Sequence, residues 1–431
     1  MLITGANKNF DVTINLVGSK SASNRALMIA YYGGFTPRIM NLSESDDTKL
    51  LNEILKSLNN PSVPSASIAP TTINCHNSGT VLRFLLTALC VKTHVCTSHN
   101  YILTGSDRML HRPVGDLVDT LRSIGADIEY MGQEGYPPLL VQTCHGASLQ
   151  HDISVDITKS SQFASSLLLA MPRSLHLDGD LSSLPYIDLT IDIMQHFGAK
   201  IHREGRDIFV EPSEYQDVEY CVESDWTCAS YWYEAVALSD NGRARLKNLH
   251  LDSKQGDALV AKWFEQFGVK SFQDGDDIVI EKYKSLIDNQ LSFDFINNPD
   301  LYPTIAATCA GLGLKAHLTG LRNLIHKESD RVAAMETELS KIPSVQTSHG
   351  MSLPIFDTYD DHRIAMALAP LTMKIGAIEI NNADVVSKSY PNFWQEFELL
   401  YRHSHPDVNT STMCITSIGN PCFLAYEARC K

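Results

Sequence analysis

The sequence predicts an α/β protein, in the looser sense α+β, made of two domains assembled from small repeated units. Three observations carry that expectation: the length, a helix type that recurs at a fixed step, and short apolar runs between the helices. At 431 residues the chain exceeds what one hydrophobic core usually serves. Helices with an aspartate near their start follow Asp47, Asp116, Asp188, Asp257 and Asp330, a period of about 70 residues, and a degenerate sixth copy begins at Pro391. Three of these helices end at Gly125, Gly198 and Gly268, each followed by a strand-like run, and there glycine reads as a left-handed helix cap. The runs 207–211 and 277–281 are apolar between acidic ends and read as strands packed on buried helices. The period is too long for a solenoid of helix pairs, so six units are expected, grouped three and three.

A second helix type alternates with the first. Six polar segments each open an Ala-rich apolar run: Lys20–Arg25, Asn77–Thr80, Ser160–Gln162, Thr227–Ser230, Asn298–Asp300 and Asp361–Arg363. The apolar content says that these helices are buried, while their polar starts face something else. Free N–H groups and the positive end of the helix dipole favour phosphate or carboxylate, so several convergent starts suit a polyanionic ligand.

The net charge is −15, from 35 basic and 50 acidic residues, which argues against a nucleic-acid or anionic-membrane partner. Lys20, Arg25, Arg108, Lys327, Arg331, Arg363 and Lys388 nevertheless gather in the motifs. Ten cysteines are scattered without CxxC pairs or metal-ligand spacing, so structural thiols in a reduced, cytoplasmic compartment are expected, with no metal. No secretory signal or membrane-length apolar stretch is legible.

Each motif has a bland reading. Gly18-Ser19-Lys20-Ser21 is not a P-loop, because the first glycine of GxxxxGK[ST] would fall on Thr13. Alone it is a surface turn with a solvated lysine. Alternatively it sets Lys20 and Ser21 over a helix start, with Arg25 one turn later. Gly79 lets backbone N–H groups approach a ligand closely, although Asn77–Thr80 alone is an ordinary N-cap. Ser160, Ser161 and Gln162 offer donors to a phosphate or a sugar-like ring, and serine pairs also cap helices. Lys327-Glu328-Ser329-Asp330-Arg331 is either a solvated ion-pair cluster or a clamp on an anion with Glu328 as an acid/base. Asp361-His362-Arg363 adds an imidazole, and Lys388 precedes a Pro-started helix.

Together and in order, these motifs resemble the 3-phosphoshikimate 1-carboxyvinyltransferase (5-enolpyruvylshikimate-3-phosphate synthase) family of enolpyruvyl transferases. The pieces are GSKSASNRAL (18–27), NSGTVLR (77–83), LTGSDRMLHRPVGDLVDTLRSIGA (103–126), EGYPPL (134–139), SSQF (160–163), LPYIDLT (184–190), ESDWTCASYW (223–232), NPDLYPTIA (298–306), KESDR (327–331) and YDDHRIAMA (359–367). The resemblance implies a two-domain inside-out α/β barrel, each domain holding three βαβαββ-type units with helices inside and sheets outside. One domain would combine 1–19 with 224–405 and the other would span 20–223, leaving 406–431 as a tail of no assigned role.

The resemblance also implies shikimate-pathway chemistry, leading to chorismate and the aromatic amino acids. The 5-hydroxyl of shikimate 3-phosphate would attack C2 of phosphoenolpyruvate, and the tetrahedral intermediate would expel phosphate, without a cofactor. Carried over, Lys20, Ser21, Arg25, Ser160, Ser161, Gln162, Ser183, Tyr186, Asp300, Asn323 and Lys327 would hold shikimate 3-phosphate. Lys20, Gly79, Arg108, Arg331, Arg363 and Lys388 would surround phosphoenolpyruvate, and Lys20, Asp300, Glu328 and His362 would be catalytic. A monomer is expected. The sequence departs from the family at Phe84, where Pro or Leu is usual and where the fit of the phosphonate glyphosate is at stake, at Ile325-His326 before Lys327, and at the bulkier Trp226-Thr227-Cys228. Rival readings are a transferase acting on UDP-N-acetylglucosamine, disfavoured by the SSQ and KESDR motifs, and a non-catalytic anion-binding relative, disfavoured because every candidate position is occupied.

Overall fold

A computed structural model describes residues 1–59, 69–91, 100–143, 147–283, 291–342, 353–402 and 415–416. The six polar openings start helices: Lys20–Gly33, Gly79–Val91, Gln162–Leu169, Trp226–Leu238, Tyr302–Leu312 and His362–Leu368. Their burial is close to complete, and every residue of Trp226–Leu238 is buried. A second set, Asp46–Asn59, Gly115–Ser123, Leu184–His196, Gly256–Leu259 with Val260–Phe264, Arg331–Leu339 and Phe393–Phe397, recurs at the expected places. Gly125, Gly198 and Gly268 have φ of 101°, 91° and 77°, the left-handed region where a Cβ is strained.

Among the described residues the strands form six sheets. Thr71–Asn74 and Asn100–Thr104 pair in parallel across a buried helix, and Leu139–Gln142 and Asp127–Tyr130 complete the sheet antiparallel. The chain order there is βαβαββ. The sheet of Asp152–Asp156, Ser174–Asp178, Asp207–Glu211 and Lys200–Glu204 repeats it. A third copy borrows Asn9–Ile14 from the start of the chain to pair in parallel with Asn241–Leu246, beside Asp277–Lys282 and Val269–Asp274. Strands such as Asn9–Ile14 alternate exposed and buried residues, so one face meets solvent and the other covers the helices. Helices therefore lie inside and sheets outside.

Apolar residues segregate into two cores, one from residues 3–17 and 226–400 and the other from residues 22–222. The chain passes between these two lobes twice, side by side: Gly18 bridges Ser224, Ser19 N–H donates to Glu223 O at 2.9 Å, and Asp225 N–H donates to Val17 O at 2.9 Å. Asp225 then caps helices on both sides of the crossing, accepting from Lys20 N at 3.2 Å, Thr227 N at 2.9 Å and Cys228 N at 3.1 Å. The bulky Trp226 is fully buried, its indole N–H donating to Glu223 at 3.0 Å, so it braces the crossing. Of the stretch 406–431, Ile415–Thr416 pairs antiparallel with Leu2–Ile3 and the rest lies outside the described residues.

Candidate active site

Helix starts from both lobes converge on one cavity that opens to solvent. Lys20, Ser21, Arg25, Gly79, Ser160, Ser161, Gln162, Ser183, Tyr186, Asp300, Asn323, Lys327, Glu328, Arg331 and Arg363 all line it. The inward helices bring their N-termini here because each start is polar while the body behind it is apolar.

The cavity has two electrostatic halves. On one wall, cations and carboxylates are tightly paired. Arg331, 1% exposed, donates to Asp361 at 2.8 Å, Asp300 at 2.6 Å and Glu328 at 2.8 Å. Asp300 also receives Arg363 at 2.7 Å and the Tyr186 hydroxyl at 3.1 Å, with the Lys327 ammonium at 3.6 Å. Lys388 lies 3.0 Å from Glu328 and donates to the Asn77 carbonyl at 2.8 Å. Burial alone would raise the Asp300 carboxyl, but Arg363, Lys327 and Arg331 outweigh it and hold it well below the usual carboxylate range. Burial likewise opposes ionisation of Glu328, and Lys388, Arg331 and Arg112 overcome it. Both groups are therefore anions at neutral pH.

Three further arginines of the site make no close ion pair, although Arg83 and Arg112 still feel the Glu328 charge. Arg25, Arg83 and Arg112 are buried and form no ion pair among the described residues. Arg25 donates from Nε to Thr190 at 2.7 Å, from Nη1 to Ser21 O at 2.8 Å and from Nη2 to Ser165 and Tyr186 O, each at 3.1 Å. Four of its five N–H groups are thus held by protein, leaving one Nη1 hydrogen for a ligand. Burial lowers its pKa to about 10. The Phe84 ring lies under it, 5.7 Å from the guanidinium carbon. Arg83 donates to Gln162 at 2.5 Å and to Pro113 O at 3.0 Å, and Gln162 in turn donates to Thr80 at 2.8 Å. A Cβ on Gly79 would lie 2.8 Å from both the Arg112 guanidinium carbon and Arg83 Nη1, so a side chain there would displace these two guanidiniums. Ser183 is held in the left-handed region at φ 55°, a strained conformation that recurs at ligand sites.

Three expected residues stand differently. Arg108 does not line the cavity: its guanidinium donates to Lys327 O at 2.9 Å and to Ile325 O at 2.9 Å, clasping one lobe to the other. Arg112, one 3₁₀ turn later, lines it instead. Lys388 reaches the cavity through Glu328 rather than as a wall. His362 is buried behind the wall with neither ring nitrogen hydrogen-bonded to a described residue, and burial together with Lys20 and Arg363 pushes its pKa well down, so the ring is neutral. Asn323 lines the cavity and donates to Ser182 at 3.0 Å despite the altered residues after it. Sequence reasoning missed Arg83, Arg112, Asp47, which lies 3.2 Å from the Lys20 ammonium, and Asp361, which orders Arg331. The signal for Arg83 was present, since a charged residue interrupts Val81-Leu82 and Phe84-Leu85 inside an apolar helix, one turn after Gly79.

An α/β architecture with paired carboxylates and unpaired guanidiniums around one cavity defines a transferase-type site for small polyanions. By fold it is similar to the solved structure of EPSP synthase from Acinetobacter baumannii, with a TM-score of 0.67 at 20% identity, covering 92% of this chain and 96% of that one. The model of the EPSP synthase (3-phosphoshikimate 1-carboxyvinyltransferase) family matches residues 5–397. The 3-phosphoshikimate 1-carboxyvinyltransferase of Bacteroides fragilis is 35% identical over 414 residues, spanning 91% of this chain and 96% of that protein. The one from Aliivibrio fischeri is 35% identical over 428 residues, spanning 90% and 97%. The chain belongs to the EPSP synthase family.

Proposed function

We propose that this chain transfers the enolpyruvyl group of phosphoenolpyruvate to the 5-hydroxyl of shikimate 3-phosphate and releases phosphate. The observation that supports it most is the pairing of two anionic carboxylates, Asp300 and Glu328, within a ring of cations beside three guanidiniums that make no close ion pair among the described residues. Two phosphates and two carboxylates on the substrates match that charge. Ser160, Ser161, Gln162, Ser183, Tyr186, Asn323 and Arg25 hold shikimate 3-phosphate, with Ser21, Lys20 and Lys327 beside its reacting edge. Gly79, Arg83, Arg112, Arg331 and Arg363 hold phosphoenolpyruvate, and Lys388 steers Glu328. Asp300 takes the proton of the attacking hydroxyl, and Glu328 delivers one to C3 as cationic character develops at C2; when the tetrahedral intermediate collapses, C3 returns a proton to Glu328 as the C2–O bond to phosphate breaks, which restores the vinyl group. Glu328 is an anion while Lys388 and Arg331 act on it alone. Substrate phosphate and carboxylate draw that field to themselves and let Glu328 take up the proton it must give. His362, neutral and buried, keeps positive charge out of the space behind Glu328. No cofactor or metal enters this chemistry.

The two cores support a division into 1–19 plus 224–405 and 20–223, working as a cytoplasmic monomer. No helix among the described residues is long and apolar enough to cross a membrane. A rival on UDP-N-acetylglucosamine is not favoured, since the curated relatives named above are all shikimate enzymes. The test is Glu328→Gln in a phosphate-release assay. Turnover falls by about a hundredfold or more while shikimate 3-phosphate binding by calorimetry stays within about twofold; near-normal turnover would remove Glu328 from proton transfer.

A further inference from the structure

A second, smaller cavity adjoins the first and shares Lys20, Ser21, Tyr186 and Arg363 with it. Its floor carries Asp257, a carboxyl 4% exposed. One oxygen accepts from the Thr227 hydroxyl at 2.5 Å and the other from the Asn298 side-chain amide at 3.2 Å. Asp257 forms no ion pair among the described residues, in contrast to Asp300 and Glu328 next door. Asn298 opens the 3₁₀ turn Pro299–Leu301, which carries Asp300. The turn Gly256–Leu259 lies at the seam between the lobes: a Cβ on Gly256 would come 2.4 Å from Pro185 Cβ, one residue before Tyr186, whose hydroxyl meets Asp300.

We propose that Asp257 is a positioning residue for Asp300. Through Asn298 it fixes the turn that presents Asp300, and through its own negative charge it strengthens the pull of Asp300 on the substrate hydroxyl proton. The inference rests on Asp300 acting at that hydroxyl, as proposed above. The charged and titratable groups facing Asp257 are Asp300 from the 3₁₀ turn, Arg363 from helix His362–Leu368, and Tyr186, Lys20 and Asp225 across the small cavity. Burial, then the nearby Asp300 charge, raises the Asp257 carboxyl to about 6, while Thr227, Arg363 and Asn298 restrain the rise. At neutral pH the site therefore holds two neighbouring carboxylates, and like charges held close make each a stronger base. Below about pH 6 Asp257 takes a proton and Asp300 loses that assistance.

Asp257→Asn isolates the charge, because an amide can accept from Asn298 and donate to the Thr227 oxygen in the same geometry. Asn298→Ala isolates the mechanical link and leaves the carboxyl in place. Both variants are expected to lower kcat by about tenfold to a hundredfold, the scale at which misplacing a catalytic group acts, with KM for shikimate 3-phosphate within about twofold. The wild-type rise of kcat through about pH 6 should vanish in Asp257→Asn, leaving a flat, lowered profile. Wild-type kcat with an unchanged pH profile in Asp257→Asn overturns the proposal. So does a loss in which kcat and melting temperature fall while KM rises in both variants, which marks a merely structural role. If Asp257→Asn does not fold, the split between kcat and KM in Asn298→Ala decides alone. Failure of the underlying reading shows elsewhere: Asp300→Asn would then turn over normally.

Discussion

At the scale of single residues, the difference between Arg108 and Arg112 shows what a linear motif leaves open. Both belong to one polar run, and the resemblance points to Arg108 for phosphoenolpyruvate, whereas the residue that lines the cavity is Arg112, four positions further along the chain. The 3₁₀ turn Met109–His111 points the first guanidinium at the carbonyls of the facing lobe and the second at Gly79. The two arginines therefore differ in kind. Arg112→Ala removes a buried charged donor that makes no close ion pair among the described residues, and a charge-assisted contact is worth about 1.5–3 kcal/mol. The KM for phosphoenolpyruvate should rise by roughly tenfold to a hundredfold, with little change for shikimate 3-phosphate. Arg108→Ala loosens the join between lobes instead and should raise both constants together, by less than about tenfold. Steady-state kinetics with each substrate varied in turn separates the outcomes, and the reverse ranking would return Arg108 to the ligand shell.

At the scale of elements, the twelve helices were legible because their signals are local. Ser19 and Asp361 accept from N–H groups of the first turn, and an Ala-rich body follows each. The strands at 207–211 and 277–281 and the left-handed glycines Gly125, Gly198 and Gly268 were legible for the same reason, whereas strands such as Asn9–Ile14 and Asn241–Leu246 were not singled out. Partners were not, because whether Arg83 meets Gln162 or Asp257 meets Asn298 depends on packing between units about 40 to 80 residues apart. Helix Trp226–Leu238 also holds a group no motif announced. Glu234 is wholly buried and neither carboxyl oxygen has a hydrogen-bond partner among the described residues. Burial raises its pKa well above the ordinary carboxyl value. The folded chain thus retains a proton that the unfolded chain releases above about pH 4.3, so the fold binds more protons and loses stability as pH rises from there towards the folded pKa. Glu234→Met, similar in length and without the unpaired polar atoms, should stabilise the protein by about 1–3 kcal/mol near pH 8 and by less near pH 5. Denaturant unfolding at both pH values checks this, and equal or opposite shifts would show that Glu234 is solvated or paired.

At the scale of the whole molecule, the two lobes touch mainly through charged and polar groups around the cavity. Arg108 meets Lys327 O, Lys388 meets Asn77 O, Ser387 meets Asp46 at 2.6 Å, and Ser183 N–H meets Ile296 O at 2.9 Å. Among the described residues two stretches of chain join the lobes, pinned by Asp225, and this permits a hinge. Around the cavity Lys20, Arg25, Arg83, Arg112, Lys327, Arg331, Arg363 and Lys388 outnumber Asp47, Asp300, Glu328 and Asp361. Bringing the lobes together without an anion concentrates like charge in a space of low dielectric, and a bound phosphate reverses the sign of that cost. Shikimate 3-phosphate should therefore act as the closing ligand. In small-angle scattering, the radius of gyration should fall on its addition, and the concentration needed should rise with salt as the attraction is screened. Phosphoenolpyruvate alone, lacking the serine-lined half of the site, should shrink the particle less. An unchanged radius with saturating shikimate 3-phosphate would mean that the lobes are already locked by their polar contacts, and that the cations are balanced by groups outside this cavity.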